Sequence, residues 1–75
     1  MKSILVIGMG RLGRSFAIKM LQLGNDVMIV DMDEQVIDHL APIFTDSQIG
    51  DCRQEGVLRS LGVNNFDICL VAIGE

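Results

Sequence analysis

Three glycines near the amino terminus, in the run Gly8, Met9, Gly10, Arg11, Leu12, Gly13, have the GxGxxG spacing that can seat a diphosphate. The chemistry is steric and electrostatic. A first glycine permits a tight turn, a second lets backbone come up against a pyrophosphate, and a third lets the following helix pack close to its strand. The unpaired amides at the start of that helix then point at the phosphates. The spacing alone is weak, because a glycine turn without a ligand has the same pattern, so its setting decides. Here it follows the apolar run Ser3 to Ile7, opens a helical pattern, and is followed by Asp31 at the end of the next apolar run. That is the context the fingerprint requires.

Arg11 and Arg14 are a second, independent clue. Both fall in the first turn of the expected helix, where the helix dipole disfavours cations by roughly 0.3–1 kcal/mol. A bound anion reverses that penalty, and Arg11, inside the loop, can reach over a diphosphate or toward a third phosphate. Asp31 is placed to accept hydrogen bonds from both ribose hydroxyls, and its charge repels a 2′-phosphate. With Met32 next and no arginine there to compensate, NADP is disfavoured; NAD(H), ATP, ADP or a similar nucleotide remain. Asp51 has two readings of equal weight, a contact to adenine or ribose and an N-cap for the next helix. Gly74 either lets the last strand approach the ligand or makes a simple turn. His39, on a helix beside Leu40, reads as a surface or half-buried histidine rather than an acid or base. Met20, Met28 and Met32 read as filling of the core or of the pocket edge.

These residues need a scaffold, and the hydropathy pattern supplies one. Ser3 to Ile7 is a continuous apolar run, the mark of a buried parallel strand. Leu12, Phe16, Met20 and Leu23 then recur at helical spacing and predict one apolar face, with Gly24 as the stop. Asp26 to Val30 is a second strand closed by Asp31. Asp33 caps a helix turning Val36, Ile37, Leu40 and Ala41 inward, with Pro42 near its end. A short strand is expected around Phe44 to Ile49. Asp51 is available to cap a helix from about Arg53 to Leu61, with Val57, Leu58 and Leu61 inward and Gly62 as its stop, and Phe66 to Ile73 is the last strand. Right-handed crossovers place four such strands in a parallel Rossmann-like sheet of order 3-2-1-4 with helices on both faces. The ligand crevice of such a sheet lies at the carboxyl ends of the strands, where the order reverses.

Composition agrees with α/β. A chain of 75 residues holds one domain at most and buries only about 60% of the surface its unfolded form exposes. The formal charge of −4, with six scattered basic residues, argues against nucleic acid or an anionic membrane as partner. No apolar run approaches the roughly 18 residues needed to cross a bilayer, and Ile4 to Ile7 is too short for the apolar region of a signal peptide. The chain reads as cytosolic. Cys52 and Cys69 form no CxxC pair and one histidine is present, which argues against zinc and for a reducing compartment. Cys69, in an apolar run, is expected in the core.

Four segments, GMGRLGRSFA, VDMDEQVID, IGDC and LRSLGVNNFDICLVAIGE, together resemble the N-terminal nucleotide-binding (RCK or KTN, also TrkA-N) domain of the Trk and Ktr potassium-uptake regulatory proteins. The resemblance covers nearly the whole chain. It implies a regulator rather than an enzyme: a cytoplasmic domain, peripheral to the inner membrane through its transporter, that binds NAD(H) or ATP/ADP. It also implies assembly into homodimers or larger homo-oligomers and control of a membrane potassium transporter or channel subunit. By matching position it implies that Gly8, Gly10, Gly13 and Arg11 hold phosphates, Asp31 the ribose and Asp51 the adenosine side. The candidate cofactor-binding set is therefore Gly8, Met9, Gly10, Arg11, Leu12, Gly13, Asp31, Met32, Asp51, Cys52 and Gly74. The departure is length, since the family's domain continues through further strands; the expectation is one partial domain over residues 1–75, truncated after strand four. Its far edge is then open to pairing with another chain. Two other readings stand beside this one, the cofactor half of an NAD-dependent dehydrogenase and a scaffold whose turn binds no nucleotide.

Overall fold

The structure, a computed structural model, describes residues 1–73. Its elements run β1 (Ser3–Ile7), α1 (Arg11–Gln22), β2 (Asp26–Asp31), α2 (Glu34–Leu40), β3 (Asp46–Ile49), α3 (Glu55–Ser60), a 3-10 turn over Val63–Asn65, and β4 (Ile68–Val71). All four strands are parallel, in the expected order β3-β2-β1-β4. The register aligns Ile7 of β1 with Val30 of β2 and Val71 of β4, and Asp31 of β2 with Ile49 of β3. Every strand therefore delivers its carboxyl end to the same rim of the sheet.

The unbroken apolar runs of β1 and β2 have a direct cause: both strands are central, so both their faces are covered. Ile4, Val6, Val27 and Ile29 point to one face and pack with Ala17 of α1 and Ile37 and Leu40 of α2. Leu5, Ile7 and Val30 point to the other and pack with Leu61, Cys52 and Val57 on the α3 side. Burying each of these aliphatic side chains stabilises the fold by roughly 1.5–3 kcal/mol relative to leaving it exposed. Helices α1 and α3 end against Gly24 and Gly62, at φ +90 and +69, as their positions in the sequence predict. Asp33 caps α2, its carboxylate accepting the Gln35 amide at 2.9 Å. At the opposite rim from the strand ends, Asp67 accepts the Ser3 amide at 2.9 Å and Asn25 that of Lys2 at 3.0 Å. Both bonds fix where β1 begins.

Several local expectations are corrected. The expected stripe on α1 holds only in its middle: Phe16 and Met20 pack against the core, whereas Leu12 and Leu23 are 58% and 62% exposed and the fully buried positions are Gly13 and Ala17. The helix lies so close to the sheet that small residues define the contact and the large ones flank it. Strand β3 begins at Asp46 rather than Phe44, because Phe44 turns into the core, 7% exposed, before the strand starts. Helix α3 begins at Glu55 with Gln54 at its N-cap, so Asp51 does not cap it. Cys69 is exposed rather than buried, since β4 is an edge strand. The expected roles of Gly74 and of the Leu58 side chain lie outside the described residues.

Candidate functional site

The turn between β1 and α1 is built on two glycines. Gly8 has φ +99, a conformation that disfavours any side chain, and a Cβ there would lie 2.7 Å from the carbonyl oxygen of Ala72 beyond β4. A Cβ at Gly13 would fall on the carbonyl oxygen of Gly8. Helix α1 can therefore start directly over the end of β1 only because position 13 carries no side chain. Gly10 is the N-cap of α1, extended at φ −69 and ψ −168, and it brings no side-chain cap to the helix start. The first helical bond runs from the Arg14 amide to the Gly10 carbonyl at 2.9 Å.

The electrostatics of that turn favour an anion. The first turn of α1 holds no acidic residue and does hold Arg11 and Arg14, against the helix dipole. Arg14 reaches back to the Met9 carbonyl at 3.4 Å. Arg11 is exposed, and its guanidinium has no hydrogen bond or ion pair among the described residues. An exposed cation at a positive helix end, beside a turn stripped of side chains, gives a diphosphate both space and countercharge.

Asp31 closes the site on the β2 side. One carboxylate oxygen accepts the Met9 amide at 2.7 Å and the other accepts the Asp33 amide at 2.8 Å. The carboxylate is thus pinned to the glycine turn by one oxygen and to the start of α2 by the other. Each oxygen keeps lone-pair capacity for a further donor, and a pair of vicinal hydroxyls matches that demand. Neighbouring strand ends are locked in step: the Gly8 amide donates to Val30 at 2.8 Å, Gly50 to Asp31 at 3.0 Å and Ala72 to Ile7 at 2.7 Å.

At the β3 end, Asp51 accepts from the Arg53 side chain twice, at 2.9 Å from Nε and 2.9 Å from Nη2, and from the Arg53 amide at 3.1 Å. The guanidinium two residues on has taken the carboxylate that could have capped α3. Its hydrogen bonds hold the Asp51 carboxyl below the usual carboxylate range. Cys52 is buried beside the pair, and burial pushes its thiol above the ordinary value.

One open groove of about 270 Å³ runs along this rim. Of the residues expected at a site, Gly8, Met9, Gly10, Asp31, Met32, Asp51 and Cys52 line it. Met9 is only 2% exposed and packs in the core, so it contributes little open surface to the groove. Arg11, Leu12 and Gly13 stand at the start of α1, outside the lining, and Gly74 lies beyond the described residues. The groove also takes in residues the sequence did not single out: Gly50, Ala72, Ile73 and above all Arg53. A basic residue two places after an acidic one in a loop was the available signal. The groove is slightly below the roughly 300–1,000 Å³ usual for ligand clefts, and its glycine cradle, pinned carboxylate and adjacent exposed cation have the chemistry that the sugar and diphosphate of a nucleotide require.

Comparison with known proteins agrees with this geometry. Residues 4–75 match the TrkA-N domain. The Ktr system potassium uptake protein C of Bacillus subtilis (strain 168) is 43% identical over 74 residues, covering 99% of this chain and 34% of the relative. The Ktr system potassium uptake protein A of the same organism is 37% identical over 73 residues, covering 97% and 33%. That of Vibrio alginolyticus is 27% identical over 73 residues, with the same coverage of 97% and 33%. The chain spans about a third of the length of the curated relatives it matches. A glycine turn, a pinned acidic residue and a match reaching from the first strand to the last residue converge on one conclusion: the chain belongs to the TrkA-N domain family.

Proposed function

We propose that this chain is the nucleotide-sensing regulatory module of a potassium uptake system. It seats an adenine nucleotide, NAD(H) or ATP/ADP, assembles with further copies of itself, and gates an associated membrane potassium transporter from the cytoplasmic side. The observation that carries the reading is Asp31, whose carboxylate is tied to the Met9 amide at 2.7 Å beside the turn that Gly8 and Gly13 keep clear. In this reading the helix α1 amides and Arg11 hold the phosphates, and Asp31 holds the ribose. Arg11 responds to how many phosphates are present, since an exposed guanidinium gains most from the charge nearest to it. Support for the transport role comes from the relatives, which are potassium uptake proteins of Ktr systems. Among the described residues no helix is long and apolar enough to cross a membrane; in this reading the link to the membrane runs through a partner.

The residues of this chain bind and report; none is assigned a bond-making step. Calorimetric titration of the full chain with NAD, NADH, ATP and ADP tests the reading. At least one should bind, with binding lost in Asp31→Ala and Gly10→Val. Absence of binding by all four ligands would overturn it.

A further inference from the structure

We infer that Arg53 is the base-stacking residue of the groove, held flat for that task by Asp51, and that Asp51 is a positioning residue rather than a reader of the base. The inference rests on the nucleotide-binding reading above. If the diphosphate sits at the start of α1 and the ribose at Asp31, the base continues outward across β2 to the end of β3, because the strand order is β3-β2-β1-β4. Besides the buried Cys52, the groove is lined there by Met32, Asp51 and Arg53.

Their arrangement is specific. Both carboxylate oxygens of Asp51 are engaged by Arg53, at 2.9 Å from Nε and 2.9 Å from Nη2. That two-point bond fixes the plane of the guanidinium as well as its position. The same Nη2 lies 3.9 Å from the Met32 sulfur. The Arg53 side chain nevertheless remains 63% exposed, and Met32 is 60% exposed. A flat cation and a polarisable thioether, adjacent and uncovered at the rim of a groove, form a platform for the face of an aromatic base. The Asp51 charge is already answered by Arg53, so its first effect on a ligand is through the arginine it orients. A planar surface accepts any base, but a purine offers it more area than a pyrimidine.

Titration of the full chain and its variants with ADP and UDP tests this. The unchanged protein should bind ADP more tightly than UDP. Arg53→Ala should weaken ADP about tenfold, in the range of base–cation stacking, and narrow the preference over UDP. Arg53→Lys should behave like Arg53→Ala, because it keeps the charge and loses the plane. Asp51→Asn should weaken ADP in the unchanged background and add nothing to Arg53→Ala. Full affinity in Arg53→Lys would make Arg53 a point charge and overturn the inference, as would an undiminished Asp51→Asn loss in the Arg53→Ala background. If Asp31→Ala abolishes ADP binding while Arg53→Ala leaves it intact, the nucleotide reading stands and this inference falls. If the unchanged protein binds no adenine nucleotide, both fall.

Discussion

Asp31 ties two segments of the fold together at the rim of the candidate groove. Its two oxygens take the amides of Met9 and Asp33, at 2.7 and 2.8 Å, so removing the carboxylate strands one donor in the glycine turn and another at the entry to α2. Asp31→Ala is therefore expected to lower stability by about 1–3 kcal/mol in urea unfolding. Asp31→Asn should cost less and should raise the ratio of NADP to NAD binding, because it removes the negative charge that repels a 2′-phosphate. The cysteines give a second residue-scale test. Both thiols are held above the ordinary value of 9.0, that of buried Cys52 chiefly by burial and that of Cys69, on the open edge strand, by partial loss of water. The neutral thiol is the form favoured in the folded state. The stability this contributes is whole below pH 9 and declines as pH climbs past it, once the unfolded chain ionises first. Reaction with a disulfide reagent should accordingly be slow at pH 7 and quicken above pH 9. Bound ADP should protect Cys52, which lines the groove, and leave Cys69 on β4 unprotected; equal protection of both would place the ligand elsewhere.

Among elements, α1 depends most on one position. Its start is stacked on the end of β1, and a Cβ at Gly13 would occupy the place of the Gly8 carbonyl. Gly13→Ala must displace the helix or the strand, and a loss above about 2 kcal/mol is expected, as for other overpacked core sites. Loss of the α2 cap in Asp33→Ala should cost about 1 kcal/mol, read by the same unfolding experiment. The elements differ in how far the sequence disclosed them. β1 and β2 were legible because burial on both faces leaves an unbroken apolar run, and the glycine turn because its steric demands admit few other residues. Asp33 and Gly62 were legible because caps and stops act locally. The face of α1 was legible only in part: periodicity sees large apolar residues such as Leu12 and Leu23, whereas close approach selects the small Gly13 and Ala17. The Asp51–Arg53 pair escaped for a related reason. A loop has no period, and whether a carboxylate caps a helix or binds a guanidinium depends on where the helix begins. Of the residues that line the candidate groove, Gly8, Gly10 and Asp31 could be read from the sequence, while the Arg53 end at β3 could not.

At the scale of the whole molecule, the sheet is well covered in the middle and poorly at one side. Parallel sheets are ordinarily buried on both faces, yet on β4 Ile68 is 37% exposed, Val71 is 60% exposed and Cys69 is also open. Among the described residues no strand pairs with the outer edge of β4. An apolar strand with free amides and carbonyls is a template for another chain. The 75-residue chain should therefore associate with itself, and light scattering at high micromolar concentration should report a dimer or larger species. Val71→Lys places a charge on that edge and should shift the population toward monomer, since a lysine there must be desolvated when strands pair. The fold itself should survive, because Val71 is exposed and the core of β1 and β2 is untouched. Two outcomes would refute the edge as the contact: a clean monomer for the unchanged chain, or an oligomer indifferent to Val71→Lys. The second would move the contact to another surface, with Leu12 of α1 and Leu23 at its C-cap, both exposed, the next residues to change.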